Sequence, residues 1–202
     1  MNQSRQLKEQ ENARYWERWN AVSADVPEWK RECGKRYWEP DKRLIKTIRS
    51  YQYWKKKTFF ISGIMRRISV LRYRFWTIAT GADIPLNTTI GGGLLLTHPN
   101  GIVIHPQAVI GVNCLLFQQV TLGFGGKKPG APVLGGHVDV GAGAKILGGV
   151  SIGNHVRIGA NAVVLDDVPD YCTAVGIPAR IIPIDKKNIT HFESGNQETI
   201  PE

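Results

Sequence analysis

The stretch VGAGAKILGGVSIGNHVRIGANAVVLDDVP, residues 140–169, decides the fold once it is written in sixes. VGAGAK, ILGGVS, IGNHVR, IGANAV and VLDDVP open on Val140, Ile146, Ile152, Ile158 and Val164, all aliphatic. The fifth place is small or aliphatic each time, at Ala144, Val150, Val156, Ala162 and Val168. A period of six matches neither the 3.6 residues of a helix turn nor the plain alternation of a half-buried strand. It matches short strands joined by regular turns, each hexad burying its leading aliphatic along the axis of a parallel β-helix.

The period extends upstream. IHPQAV, IGVNCL and LFQQVT carry it from Ile104, and IGGGLL followed by LTHPNG carries it from Ile90, the two arrays being offset by two residues. Between Leu122 and Leu134 the phase survives a stretch rich in Gly, Pro and Lys, so residues 123–133 read as a loop extruded from the coil. GFGGKK within it is not a phosphate loop, because the G-x-x-x-x-G-K spacing followed by Ser or Thr is not met.

Before Gly81 the composition differs, and helices are expected near residues 5–20, 41–56 and 60–78, with Trp16, Trp19, Trp29 and Trp38 as packing groups. The organisation is then a basic α-helical segment over 1–80, a β-helix over 81–182 and a polar tail over 183–202. The net charge of +9 is concentrated: from Lys30 to Arg74 there are 15 Lys or Arg against Glu32, Glu39 and Asp41. Such a block suits phosphate, an acidic polymer or an anionic membrane surface. No nucleic-acid motif accompanies it, so nucleic acid is not an expected partner.

The window FFISGIMRRISVLRYRFWTIATG is broken by Arg66, Arg67, Arg72 and Arg74, which excludes an ordinary membrane span and leaves a basic amphipathic helix lying on a bilayer. The polar start MNQSRQLKEQEN has no signal-peptide pattern. Cys33, Cys114 and Cys172 are odd in number and lack metal-ligand spacing, so no metal is expected and the thiols read as reduced. A cytoplasmic location, peripheral at the inner membrane face, follows as the expectation.

The hexads, the THPNGIVI turn, QQVTLG, GAGAKILGGVSIG, IGANAVVLDDVP and the closing VGIPARII resemble the left-handed β-helix acyltransferases, and within them the serine acetyltransferase family. The resemblance covers residues 81–182. It implies a homotrimer with acetyl-CoA held between neighbouring subunits, a catalytic histidine at His98, and a supporting aspartate fifteen residues earlier at Asp83. It further implies that Gly123, Ala142 and Ala160 lie where the backbone approaches the pantetheine arm, with Lys127, Lys128 and Arg180 facing the phosphates.

The chemistry fits these residue types. Moving an acetyl group from a thioester to an alcohol requires deprotonating a hydroxyl as it attacks, and a neutral imidazole of ordinary pKa about 6.5 does this near neutral pH. A carboxylate on the other ring nitrogen would fix the tautomer and stabilise the imidazolium. Of the other histidines, His105 lies in a second His-Pro turn, His137 and His155 take outward hexad places, and His191 is in the tail; all read as structural or solvated. Cys114 takes a small fifth place and should point inward, which argues against a covalent acetyl-enzyme.

Two departures bear on the acceptor. Thr97 stands where the serine enzymes carry an aspartate, and Gly130 with Ala131 stands where they carry an Arg-His pair that holds the amino acid. Thr97 and Ala131 are thus the candidate acceptor-side positions. A zwitterion without charged partners is costly to bury. The expected activity is therefore acetyl-CoA-dependent O-acetylation of a carbohydrate acceptor, a sugar hydroxyl of a capsular or other surface polysaccharide or its precursor. L-serine O-acetylation is the alternative, and a non-catalytic trimeric β-helix scaffold is the second.

Overall fold

The computed structural model describes residues 2–36 and 38–189. Three helices come first: α1 (Asn2–Asn20), α2 (Pro40–Lys55) and α3 (Phe60–Thr80), with a single 3₁₀ turn at Trp29–Glu32. Pro40 opens α2, where its missing N–H costs nothing. Gly81 closes α3 at φ 65, and a Cβ there would press on the Asn100 side chain.

Fourteen short strands follow among the described residues: β1 (Thr89–Ile90), β2 (Leu95–Leu96), β3 (Val103–Ile104), β4 (Val109–Ile110), β5 (Leu115–Leu116), β6 (Thr121–Gly123), β7 (Val133–Leu134), β8 (Asp139–Val140), β9 (Lys145–Leu147), β10 (Ser151–Ile152), β11 (Arg157–Ile158), β12 (Val163–Val164), β13 (Cys172–Val175) and β14 (Arg180–Pro183). They stack into three sheets, ordered β1-β4-β7-β10, β2-β5-β8-β11-β13-β14 and β3-β6-β9-β12. The pairs among β1 to β13 are parallel, as in Leu116 opposite Val140 and Val140 opposite Ile158. The result is a three-sided coil whose sides are sheets and whose edges are turns.

The hexad leaders line its axis. Val140, Ile146, Ile152, Ile158 and Val164 are at most 3% exposed, and the fifth-place residues Ala144 to Val168 at most 2%. Fully burying a Val or Ile side chain stabilises by about 1.5–3 kcal/mol and an Ala by less, and each hexad needs its neighbours to realise the gain. Leu122 and Leu134 are both buried on either side of the extruded loop, which keeps the phase.

A solenoid exposes its end coils, and here α2 covers the first one. Leu44, Ile45 and Ile48 are buried in the same cluster as Ile84, Leu94 and Ile102. The strand edge is also covered: Arg49 donates from Nη1 to the Ile90 carbonyl and from Nη2 to the Gly91 carbonyl, both at 2.6 Å. Glu32 holds Arg49 at 2.7 Å and accepts the Gly93 and Leu94 N–H groups on the same Oε1. These contacts occupy the outward backbone groups from Ile90 to Leu94, so that part of the edge does not template another chain.

The chain divides into two compact units, Ser23–Ile182 and Met1–Val22 with Pro183–Glu202. The first holds α2, α3 and the coil. In the second, Asn20 Nδ2 donates to the Asn188 carbonyl at 2.8 Å, and Trp19, Ile184 and Ile189 are buried. Most of the polar tail, His191 included, lies outside the described residues.

Candidate active site

Each edge of the coil stacks one turn per layer. Along the first edge lie turns 97–101, 117–119, 141–143 and 159–161, linked by Gln119 N–H to Asn100 O, Gly143 N–H to Gln118 O and Asn161 N–H to Ala142 O at 2.8–2.9 Å. His98, Thr97, Ala142 and Ala160 therefore share one edge. The second edge carries Gly123, the extruded loop with Lys127, Lys128 and Ala131, and residues 165–167. The sheet β3-β6-β9-β12 spans the two, and Asp83 bridges to Val103 at its first strand. One side of the coil thus gathers these candidates, while Arg180 is exposed on the closing strand β14.

The His98 turn differs from those stacked on it. Three residues separate the buried positions in the later turns, but five separate Leu96 from Ile102. These two extra residues are the offset between the hexad arrays. His98 itself is exposed at φ 50. Every other non-glycine residue with positive φ among the described residues (Asn113, Gln119, His137, His155, Asn161 and Tyr171) sits three places after a buried aliphatic, the regular turn position of the hexad. In this longer turn Gly101, directly before the buried Ile102, takes the left-handed place that Gln119 and Asn161 take before Val120 and Ala162, so His98 is an additional left-handed residue, at a cost of order 1 kcal/mol or more that the hexad pattern does not demand.

Asp83 is held through its backbone, its N–H donating to Ile102 O at 2.7 Å and its carbonyl accepting from Ile104 N–H at 2.9 Å. Its side chain is exposed, and among the described residues no side-chain hydrogen bond joins it to His98. Tyr73 of α3 lies close by: burial, with the Asp83 charge added, pushes its hydroxyl pKa up. Lys127 and Lys128 pair with Asp166 and Asp167 at 2.9 and 2.6 Å on exposed side chains. Such surface pairs are weak and exchange readily for a phosphate.

One group was missed in the sequence. The Gln118 Oε1 atom is buried on the His98 edge and has no hydrogen-bond partner among the described residues. A buried acceptor left open beside a candidate site is suited to a ligand N–H. The QQ pair in QQVTLG is its only sequence signal.

His137 and His155 take the outer turn places that their hexads give them, but they are covered there and not solvated, at 2% and 7% exposed. They sit on the third edge with Nδ1 atoms 2.9 Å apart, and Tyr171 stacks on His155 at 4.8 Å. Segment 23–29 lies along this edge, Asn113 Nδ2 donating to the Ser23 and Val26 carbonyls and Oδ1 accepting from Glu28 N–H. A Cβ on Gly136 would fall 1.8 Å from the Ala24 carbonyl oxygen, so the segment passes only over glycine.

Cys114 is fully buried and its Sγ donates to the Gly135 carbonyl at 3.3 Å. Burial pushes its thiol pKa up to about 12, which removes it as a nucleophile. Because the folded value lies above the unfolded one, this contribution to stability is complete below about pH 8.5 and is lost as pH rises toward the folded value, by up to about 1.4 kcal/mol per pH unit. Burial shifts Cys172 and Tyr171 in the same direction. Urea midpoints are expected to fall between about pH 8.5 and pH 10.5, less steeply in Cys114→Ala; a midpoint that does not move would refute this.

Residues 131–166 match the family model described as bacterial transferase hexapeptide (six repeats). Over these residues the coil is similar to the hexapeptide-repeat transferases. The chain is 50% identical over 107 residues to a serine acetyltransferase of Synechococcus elongatus, covering 52% of this chain and 44% of that one. Further curated relatives from Bacillus and Staphylococcus carry the same name. Among solved structures of the family, a serine acetyltransferase in complex with CoA superposes with TM-score 0.59 at 34% identity, covering 72% of this chain and 57% of that one. The soybean serine acetyltransferase complexed with serine gives 0.60 at 35%, covering 71% and 57%. The chain thus spans about half the length of these proteins.

These relatives overturn the polysaccharide acceptor expected from Gly130 and Ala131. The expectation equated the loss of one charged pair with the loss of an amino-acid site. Two half-buried positions at the end of the extruded loop do not outweigh identity running through the coil that carries His98.

Proposed function

We propose that the chain is an acetyl-CoA-dependent L-serine O-acetyltransferase, with His98 as general base. The observation that carries the reading is the overlong turn: it places an imidazole in an additional left-handed position, on the edge shared with Ala142 and Ala160, within a coil related to serine acetyltransferases. His98 takes the serine hydroxyl proton as the oxygen attacks the thioester carbonyl. The C–O bond forms, the C–S bond breaks, and the imidazolium returns its proton to the departing thiolate.

Asp83 orients the imidazole once substrates close the site, since catalytic hydrogen bonds are often long in an empty enzyme. Ala142 and Ala160 keep the first edge low for the pantetheine arm, and Gly123 does the same on the second. Gln118 Oε1 accepts from an amide N–H of that arm. Lys127, Lys128 and Arg180 meet the phosphates, the two lysines by exchanging their aspartates. With Thr97 and Ala131 uncharged, the serine ammonium and carboxylate need other partners, which a second copy across the edge would supply in a trimer.

The test is release of CoA from acetyl-CoA with L-serine and, separately, with oligosaccharide acceptors, together with identification of the acetylated product. Turnover to O-acetylserine is expected. Acetylation of glycans with no serine turnover would refute the reading.

A further inference from the structure

Helix α3 packs Tyr73 and Trp76 against the core and leaves a second apolar face in the open. It buries Ser62, Ser69 and Thr80, the Ser69 hydroxyl lying 3.0 Å from that of Ser50 on α2. Six other large apolar side chains face away: Ile61, Ile64, Ile68, Leu71, Phe75 and Ile78 are 42% to 83% exposed. Their spacing alternates three and four without a break, which sets them in one continuous stripe along a helix about 32 Å long. Phe59 and Phe60, 71% and 89% exposed, extend the stripe at the N-terminal end, one residue after the run Lys55, Lys56 and Lys57.

The charge beside the stripe selects its occupant. Arg66, Arg67, Arg72 and Arg74 are all exposed, and α3 contains no Asp or Glu. Against a second copy of the same helix, Arg67, Arg72 and Arg74 would flank the seam at the positions that face each other, setting guanidinium against guanidinium in either orientation. Against an anionic bilayer the same groups meet lipid phosphates while the stripe enters the acyl boundary. No helix among the described residues is long and apolar enough to cross a membrane.

We infer that α3, with the Lys55–Phe60 approach, is a binding surface for anionic membrane lipid and seats the protein flat on the bilayer. This does not depend on the identity of the acetyl acceptor.

The experiment is co-sedimentation of the full chain with phosphatidylcholine vesicles and with vesicles that also contain phosphatidylglycerol. Binding is expected only to the anionic vesicles and is expected to fall with added salt. Arg67→Gln, Arg72→Gln and Arg74→Gln together should lower the partition coefficient on the order of 10²-fold. Leu71→Ser with Phe75→Ser should abolish binding. Both variants alter exposed side chains, so circular dichroism and CoA release should match the parent protein.

Equal binding to neutral vesicles, or no binding to either kind, overturns the inference. So does a sedimentation-velocity mass that drops in Leu71→Ser with Phe75→Ser, which would assign the stripe to contacts between copies.

Discussion

His98→Ala lowers serine-dependent release of CoA by about 10²–10⁴-fold, the contribution a positioned general base ordinarily makes. The loss should fall on kcat, because the imidazole acts on the proton in flight and not on serine in its ground state. The fold should be untouched. His98 is exposed and alanine suffers the same strain at φ 50, so the urea midpoint should stay within about 0.5 kcal/mol of the parent value. His98→Gly relaxes that strain, and it should be slightly more stable yet equally inactive. Asp83→Asn should give a smaller loss in kcat than His98→Ala, since it leaves the base in place. Steady-state kinetics with acetyl-CoA saturating decide this, and full activity in His98→Ala would remove the base from the mechanism.

Glu32→Ala should destabilise the protein by about 3 kcal/mol, the largest effect expected from a single polar side chain here. The carboxylate is mostly buried, with 10% of the side chain exposed, and it holds Arg49 through both oxygens while accepting two backbone N–H groups of the first coil. Removing it strands those N–H groups and leaves a guanidinium anchored only by the Ile90 and Gly91 carbonyls and by the face of Trp29. Glu32→Gln keeps an acceptor for the backbone and should lose about half as much. Urea unfolding of the two variants measures the difference, and a loss below about 1 kcal/mol in Glu32→Ala would show that the cap rests on Leu44, Ile45 and Ile48 alone.

The coil was legible because its signal is local and repeated. Val140 to Val164 announce six-residue spacing in sequence, and the structure buries each of them. The three helices were legible from composition, within a few residues of their ends. The phase slip at residues 97–101 was visible too, and it turns out to be the candidate turn itself. The burial of His137 and His155 was not visible, because a repeat cannot reveal that segment 23–29 returns to cover it. Nor could the role of α2 as an end cap be read from charge, since Arg49 looks like any member of a basic block until its carbonyl partners are known. The acceptor was misjudged for a related reason: an absent side chain at Gly130 and Ala131 says which group does not hold the substrate, and nothing about which group does.

Both departures from six, the five-residue turn at 97–101 and the loop through residues 124–132, fall on edges of the coil and leave the strand registers on either side unaltered. Chain length at these two points is therefore decoupled from the pitch of the core. Residues can be added or removed there without a compensating change among the buried aliphatics, so the reach of the candidate base and the shape of the acceptor side are free to drift independently while the scaffold stays the same. For the activity proposed above, acceptor choice can change at these two breaks of register while the buried interior stays the same.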